Sequence, residues 1–229
     1  ETYSDLHFTA PNIYDQKVKA SMGTVHNSRG VPGMLEYFNI NLYSSTLLYD
    51  RLLSPLAKNG RKYYKYLIDS IMGGMDNRQY KIRFIPRSKS DQLVGGYMIV
   101  SSDVWSVREI RFSGRSELLL FSCLIKMGSV GKDDEFLPVS YNVEGQFNFL
   151  GNRINGVYVA SLNYHDIVLE ENQNKWKEKV RARIKGKSKY DLSDSYNLQC
   201  ETTSFHTDSA YFETLRPIPL SEAERRLYK

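Results

Sequence analysis

With 229 residues, 41% of them hydrophobic and 25% charged, the chain has the size and balance to bury a core, which excludes an intrinsically disordered protein. Its longest apolar runs, residues 118–121 and 97–100, are strand-sized and far short of the roughly 18 residues of a membrane helix. The formal net charge is +5, and one segment near residue 180 accounts for it.

In chain order, residues 15–21 read as a weak helix and residues 45–59 as a longer one. Leu47, Leu48, Leu52, Leu53 and Leu56 lie close to an i, i+4 stripe, which Pro55 would kink or split. Residues 1–60 are therefore expected to be rich in helix and loop. From residue 62 the period changes to two. Tyr64, Tyr66 and Ile68 share one parity; Tyr80, Ile82 and Phe84 do so after the turn at 73–77, which predicts a hairpin. Pro86 ends that run, and Gly95-Gly96 opens the next. Alternation continues through 104–112, with Trp105 inside it, through Leu118, Leu120 and Leu124, through Val139, Tyr141, Val143, Phe147 and Phe149, and through Tyr158, Ala160, Leu162 and Tyr164. About seven strands joined by short turns predict an antiparallel meander over 61–200, curled or forming an incomplete barrel. The expected class is mainly β (α+β), one domain over 1–229 with a few short helices. Residues 201–229 form an extension leading to a helix, which the capping box Ser221-Glu222-Ala223-Glu224 would start. A helix that starts so near the last residue reads as a piece of a longer protein, the alternative being a frayed natural end.

Between 175 and 189 the charge follows a period of its own. Lys175, Lys177, Lys179, Arg181, Arg183, Lys185, Lys187 and Lys189 occupy every second position. As a strand this segment would present eight cations on one face and Trp176, Val180 and Ile184 on the other. The segment is net +7, so the rest of the chain is net −2. It reads either as a solvated face that discourages edge pairing or as an anion-docking stripe for lipid headgroups or an acidic partner. Nucleic acid is not expected, because no exposed aromatics interleave with the cations on the same face.

Residues with chemical potential are few. His165-Asp166 and His206-Thr207-Asp208 place imidazole near carboxylate, and a hydrolase would have to draw on them. No spacing enforces a metal site, and G-x-S-x-G, H-E-x-x-H, C-x-x-C and the P-loop are all missing from the sequence. No catalytic residue, metal or cofactor is expected. Cys123 and Cys200 permit one disulfide or two free thiols, one of them buried.

Several ordered segments carry a resemblance. They are Glu1-Thr2-Tyr3-Ser4 with Pro11; Lys17-Val18-Lys19-Ala20-Ser21; Leu53-Ser54-Pro55-Leu56-Ala57 before Tyr63-Tyr64-Lys65-Tyr66; Tyr80–Arg87; and Arg216-Pro217-Ile218-Pro219-Leu220-Ser221 with Glu222, Glu224 and Tyr228. Together they resemble a family of uncharacterised bacterial envelope proteins. In that family a carboxypeptidase-regulatory-like domain precedes a middle domain of unknown function and an outer-membrane barrel-like part. The resemblance implies a periplasmic, non-catalytic module attached to the outer membrane, which links domains or binds its own barrel, other envelope proteins or anionic lipid. Residues 80–112 also resemble, over a shorter stretch, the lipoprotein-carrier fold of the periplasm. That likeness implies a carrier of a lipophilic ligand, with an apolar cavity lined by Tyr80, Ile82, Phe84, Ile110 and Phe112.

Overall fold

A computed structural model describes residues 1–9, 13–22, 42, 45–47, 51–75, 77–103, 105–115, 119–130, 135–149, 151–167, 196–200, 209–216 and 219–227. Contacts divide the chain into two units, residues 1–39 with 172–229, and residues 40–171. The stretch 61–200 expected to form one sheet is thus shared: its strands up to 161 belong to the second unit, and residues 196–200 pair in the first.

In the first unit, β1 (Thr2–Thr9) and β2 (Ile13–Ser21) form an antiparallel pair, and β12 (Tyr196–Cys200) adds to β2 in parallel. The helix expected at 15–21 is therefore a strand. Gln16, Val18 and Ala20 are buried while Lys17 and Lys19 are exposed, a period of two that a helix would scatter around its axis. Helix α2 (Ser209–Leu215) buries Phe212 completely, its ring 5.8 Å from that of Tyr3. Just past it, Arg216 donates to both carboxylate oxygens of Glu1, at 2.7 and 2.8 Å, with the two side chains only 8% and 14% exposed. Helix α3 (Glu222–Leu227) starts at the expected capping box. The Ser221 amide donates to Glu224 at 2.8 Å, and the Glu224 amide donates to the Ser221 hydroxyl at 3.3 Å.

The Glu1–Arg216 pair gives a pH-dependent expectation. Burial pushes the Glu1 carboxyl up, but hydrogen bonds from Arg216 and Tyr3 and the Arg216 charge outweigh it and hold it below its ordinary 4.5. Stability from this pair is therefore present above pH 4.5 and lost as pH falls through the lower folded value. Arg216→Gln should cost about 2 kcal/mol at pH 7 in urea unfolding, since it leaves a half-buried carboxylate short of its charged donors. That deficit should shrink as the pH is lowered toward 3.

The second unit begins with a short pair, β3 (Thr46–Leu47) and β4 (Leu52–Leu53), followed by the single-turn helix α1 (Gly60–Tyr63). The long helix expected over 45–59 does not form. Leu47 pairs with Leu52 across the β3–β4 ladder and both are buried, so the leucine spacing serves a hairpin. The backbone there is bonded elsewhere: Leu53 donates to the Gln92 carbonyl, Ser54 to that of Ser45, and the Tyr64 hydroxyl to the Leu53 carbonyl at 2.7 Å.

Seven strands follow: β5 (Tyr64–Met72), β6 (Gln79–Pro86), β7 (Gly95–Ser101), β8 (Val107–Arg115), β9 (Leu119–Val130), β10 (Glu135–Phe149) and β11 (Asn152–Ser161). Each is antiparallel to the next, in the order β11-β10-β9-β8-β7-β6-β5. The expected meander is present, mainly β and open, with β5 and β11 at its edges. Register stacks the core in rungs across one face. Phe84, Gly96, Phe112, Cys123 and Val143 form one rung; Ile82, Met98, Ile110, Ile125 and Tyr141 form the next. A Cβ on Gly96 would lie 2.0 Å from the Arg111 carbonyl oxygen, so that rung requires glycine. In β9 the inward set is Cys123, Ile125 and Met127; the leucine parity of 120 and 124 faces the other way, and Leu120 is exposed.

Candidate functional site

The five residues expected to line a cavity lie on this core face. Phe84, Ile110 and Phe112 are completely buried; Tyr80 and Ile82 are half-buried, nearer the start of β6. All five share the face because each belongs to one parity of its strand and is matched by register: Ile82 through Met98 to Ile110, and Phe84 through Gly96 to Phe112.

Beyond the buried rungs this face ends in an exposed apolar cluster. A β-bulge between Ile68 and Ser70 makes Asp69 the extra residue of β5. Ile68 therefore pairs with Ile82, and Ile71 pairs with Tyr80, on the same face. Ile68 is 62% and Ile71 58% exposed. Trp105 stacks on Tyr80 with ring planes 7° apart and centroids 5.8 Å apart. The loop holding Trp105 is tied to the hairpin by the Ser102 amide, which donates to the Arg78 carbonyl. At the tip of that hairpin Met75 is 90% exposed.

Trp105 is the one non-glycine residue with positive φ, at 51°, among the described residues, and it is 68% exposed. The sequence placed it within a strand; β8 instead begins at Val107, and the left-handed turn residue before it presents the indole to solvent. A left-handed residue with a Cβ costs about 1–2 kcal/mol. Here that strain holds the largest side chain type outside the core, against a second aromatic ring.

The opposite face is charged. Asp69 accepts from Nε of Arg83 at 2.9 and 3.0 Å, and this pairing raises the guanidinium pKa. The Lys81 ammonium lies 4.2 Å from the centre of the Tyr97 ring. The Tyr97 hydroxyl donates to Glu109 at 2.9 Å. Burial, then this bond to a carboxylate, raises the Tyr97 pKa. A shallow cleft of about 460 Å³ opens here, lined in part by Asp69, Lys81, Arg83, Pro86, Gly95 and Tyr97.

The remaining groups singled out by sequence lie apart. His165 and Asp166 are exposed after β11; His206, Asp208 and the whole basic stripe from Lys175 to Lys189 fall outside the described residues. Among the described residues no three His, Cys, Asp or Glu side chains gather to hold a metal. Cys123 is a free thiol within the core, and burial pushes its pKa up to about 12.

An open antiparallel sheet with one packed face, one charged face and an exposed apolar end defines a mainly β domain. The chain belongs to a family of unknown function, DUF5686, whose model matches residues 1–165. No curated protein and no solved structure matches it.

Proposed function

We propose that the chain is a non-catalytic module of a bacterial envelope protein, facing the periplasm, that docks its own outer-membrane barrel through the apolar end of the seven-stranded sheet. The observation that carries this reading is Trp105, strained and exposed, stacked on Tyr80 beside Ile68 and Ile71. Clustered exposed apolar side chains mark contact surfaces, and tryptophan and tyrosine are the residues that dominate such contacts. The ordered sequence resemblance to envelope proteins with a barrel-like part supports this choice of partner and compartment. The carrier reading relies on the same face, but three of its five residues are packed closed, so a ligand would have to open the core.

Fractionation of cells making the full-length protein should place it with the outer membrane. Trp105→Gly relieves the left-handed strain, so the melting temperature of the isolated chain should hold within a few degrees. In the full-length protein the same change should make the module far more sensitive to limited proteolysis. Recovery of the protein in the cytosol, or unchanged proteolysis of the variant, would count against the reading.

A further inference from the structure

We propose that the charged face carries a second site, distinct from the apolar end: the cleft over β6 and β7 binds a small flat organic carboxylate. The floor is the first observation. Gly95 shares a face with Tyr97, and a Cβ added to it would meet only the Pro86 ring, at 3.7 Å, an ordinary contact. Its φ is not left-handed, so the backbone does not require glycine there. Gly96, one residue on, is required by the Arg111 carbonyl. What the missing side chain at Gly95 does is leave the cleft floor bare.

Electrostatics is the second observation. Of the two carboxylates near the cleft, Asp69 is occupied by Arg83 and Glu109 accepts from Tyr97. Lys81, in contrast, faces an aromatic ring. An ammonium has three donors, and a ring face engages it without satisfying them as a carboxylate would. Arg111 is the cross-strand partner of Tyr97 on β8. The rim therefore favours an anion, while the floor between the Pro86 ring and Tyr97 favours a flat apolar body. A bare inorganic anion would leave that floor uncovered, and a neutral ring would leave Lys81 without its partner. A flat carboxylate answers both.

The test is titration of the 229-residue chain with 2-naphthoate, followed by the backbone amide resonances of Gly95, Gly96, Tyr97 and Lys81 in two-dimensional NMR. Saturable shifts confined to these amides are expected. Gly95→Val should fill the floor and weaken binding at least tenfold while the melting temperature holds. Lys81→Gln should weaken it several-fold. 2-Naphthalenemethanol, which has the ring without the charge, should bind several-fold more weakly, and acetate should shift nothing. If Gly95→Val fails to fold, Gly95→Ala and Lys81→Gln carry the comparison. Equal affinity in the folded Gly95 variant, equal shifts from acetate, or shifts centred on Met75 and Trp105 would each overturn the assignment.

Discussion

Phe112→Ala should lower the unfolding free energy by about 3–5 kcal/mol, the range for removing a fully buried aromatic ring. Phe112 has no solvent exposure and lies mid-rung, paired through register with Gly96 on one side and Cys123 on the other. Its ring meets Phe121 edge-on at 6.4 Å. Gly96 has no side chain to move into the void, so little of the loss can be recovered by local collapse. Chemical denaturation followed by tyrosine and tryptophan fluorescence measures it.

The second large effect is alkaline. The Cys123 thiol ionises near 9 in an unfolded chain but only at about 12 in the fold, because burial disfavours the thiolate. The sign follows directly: above pH 9 the unfolded chain loses a proton that the folded chain keeps, so stability falls as pH rises. The stability concerned is whole below pH 9 and is lost progressively toward pH 12. The full loss from this group is about 4 kcal/mol, and about two thirds of it should have occurred by pH 11. Tyr158 and Tyr164, also pushed up to about 12 by burial from an ordinary 10, act in the same direction. Unfolding curves between pH 8 and 11 should therefore shift steeply, and Cys123→Ala should flatten that dependence although it lowers stability at pH 8. A native thiol that reacts with Ellman's reagent as fast as the unfolded one would contradict the burial on which this rests.

The meander was legible because two signals agreed. Alternating apolar residues ran between glycine- and serine-rich turns, and nothing of helical period separated the runs. The N-terminal third was misread where tertiary bonds decided. Leu47 and Leu52 suit a helix stripe and a strand pair equally, and the acceptors and donors on Gln92, Ser45 and Tyr64 select the pair. The inward parity of β9 was hidden by Leu118 and Leu120, which look more core-like than Cys123 and Met127. The exposed apolar end was the least readable part. Strict alternation would send Ile68 and Ile71 to opposite faces, and only the bulge at Asp69 brings them together. Trp105 beside Ser101-Ser102-Asp103 offered a clue, since a turn so close makes a left-handed residue plausible, but its composition alone reads as strand.

The proposed docking role of the apolar end is tested most directly by photocrosslinking in cells. A photoreactive amino acid placed at position 105 of the full-length protein should crosslink, on illumination, to the protein's own barrel-like part, at a site that mass spectrometry maps to one short segment. A second probe at Glu144, on the charged face of the sheet, should give no such product. Crosslinks from position 105 to lipid or to water alone, or the same product from both positions, would contradict a protein-docking role for Trp105 and its neighbours.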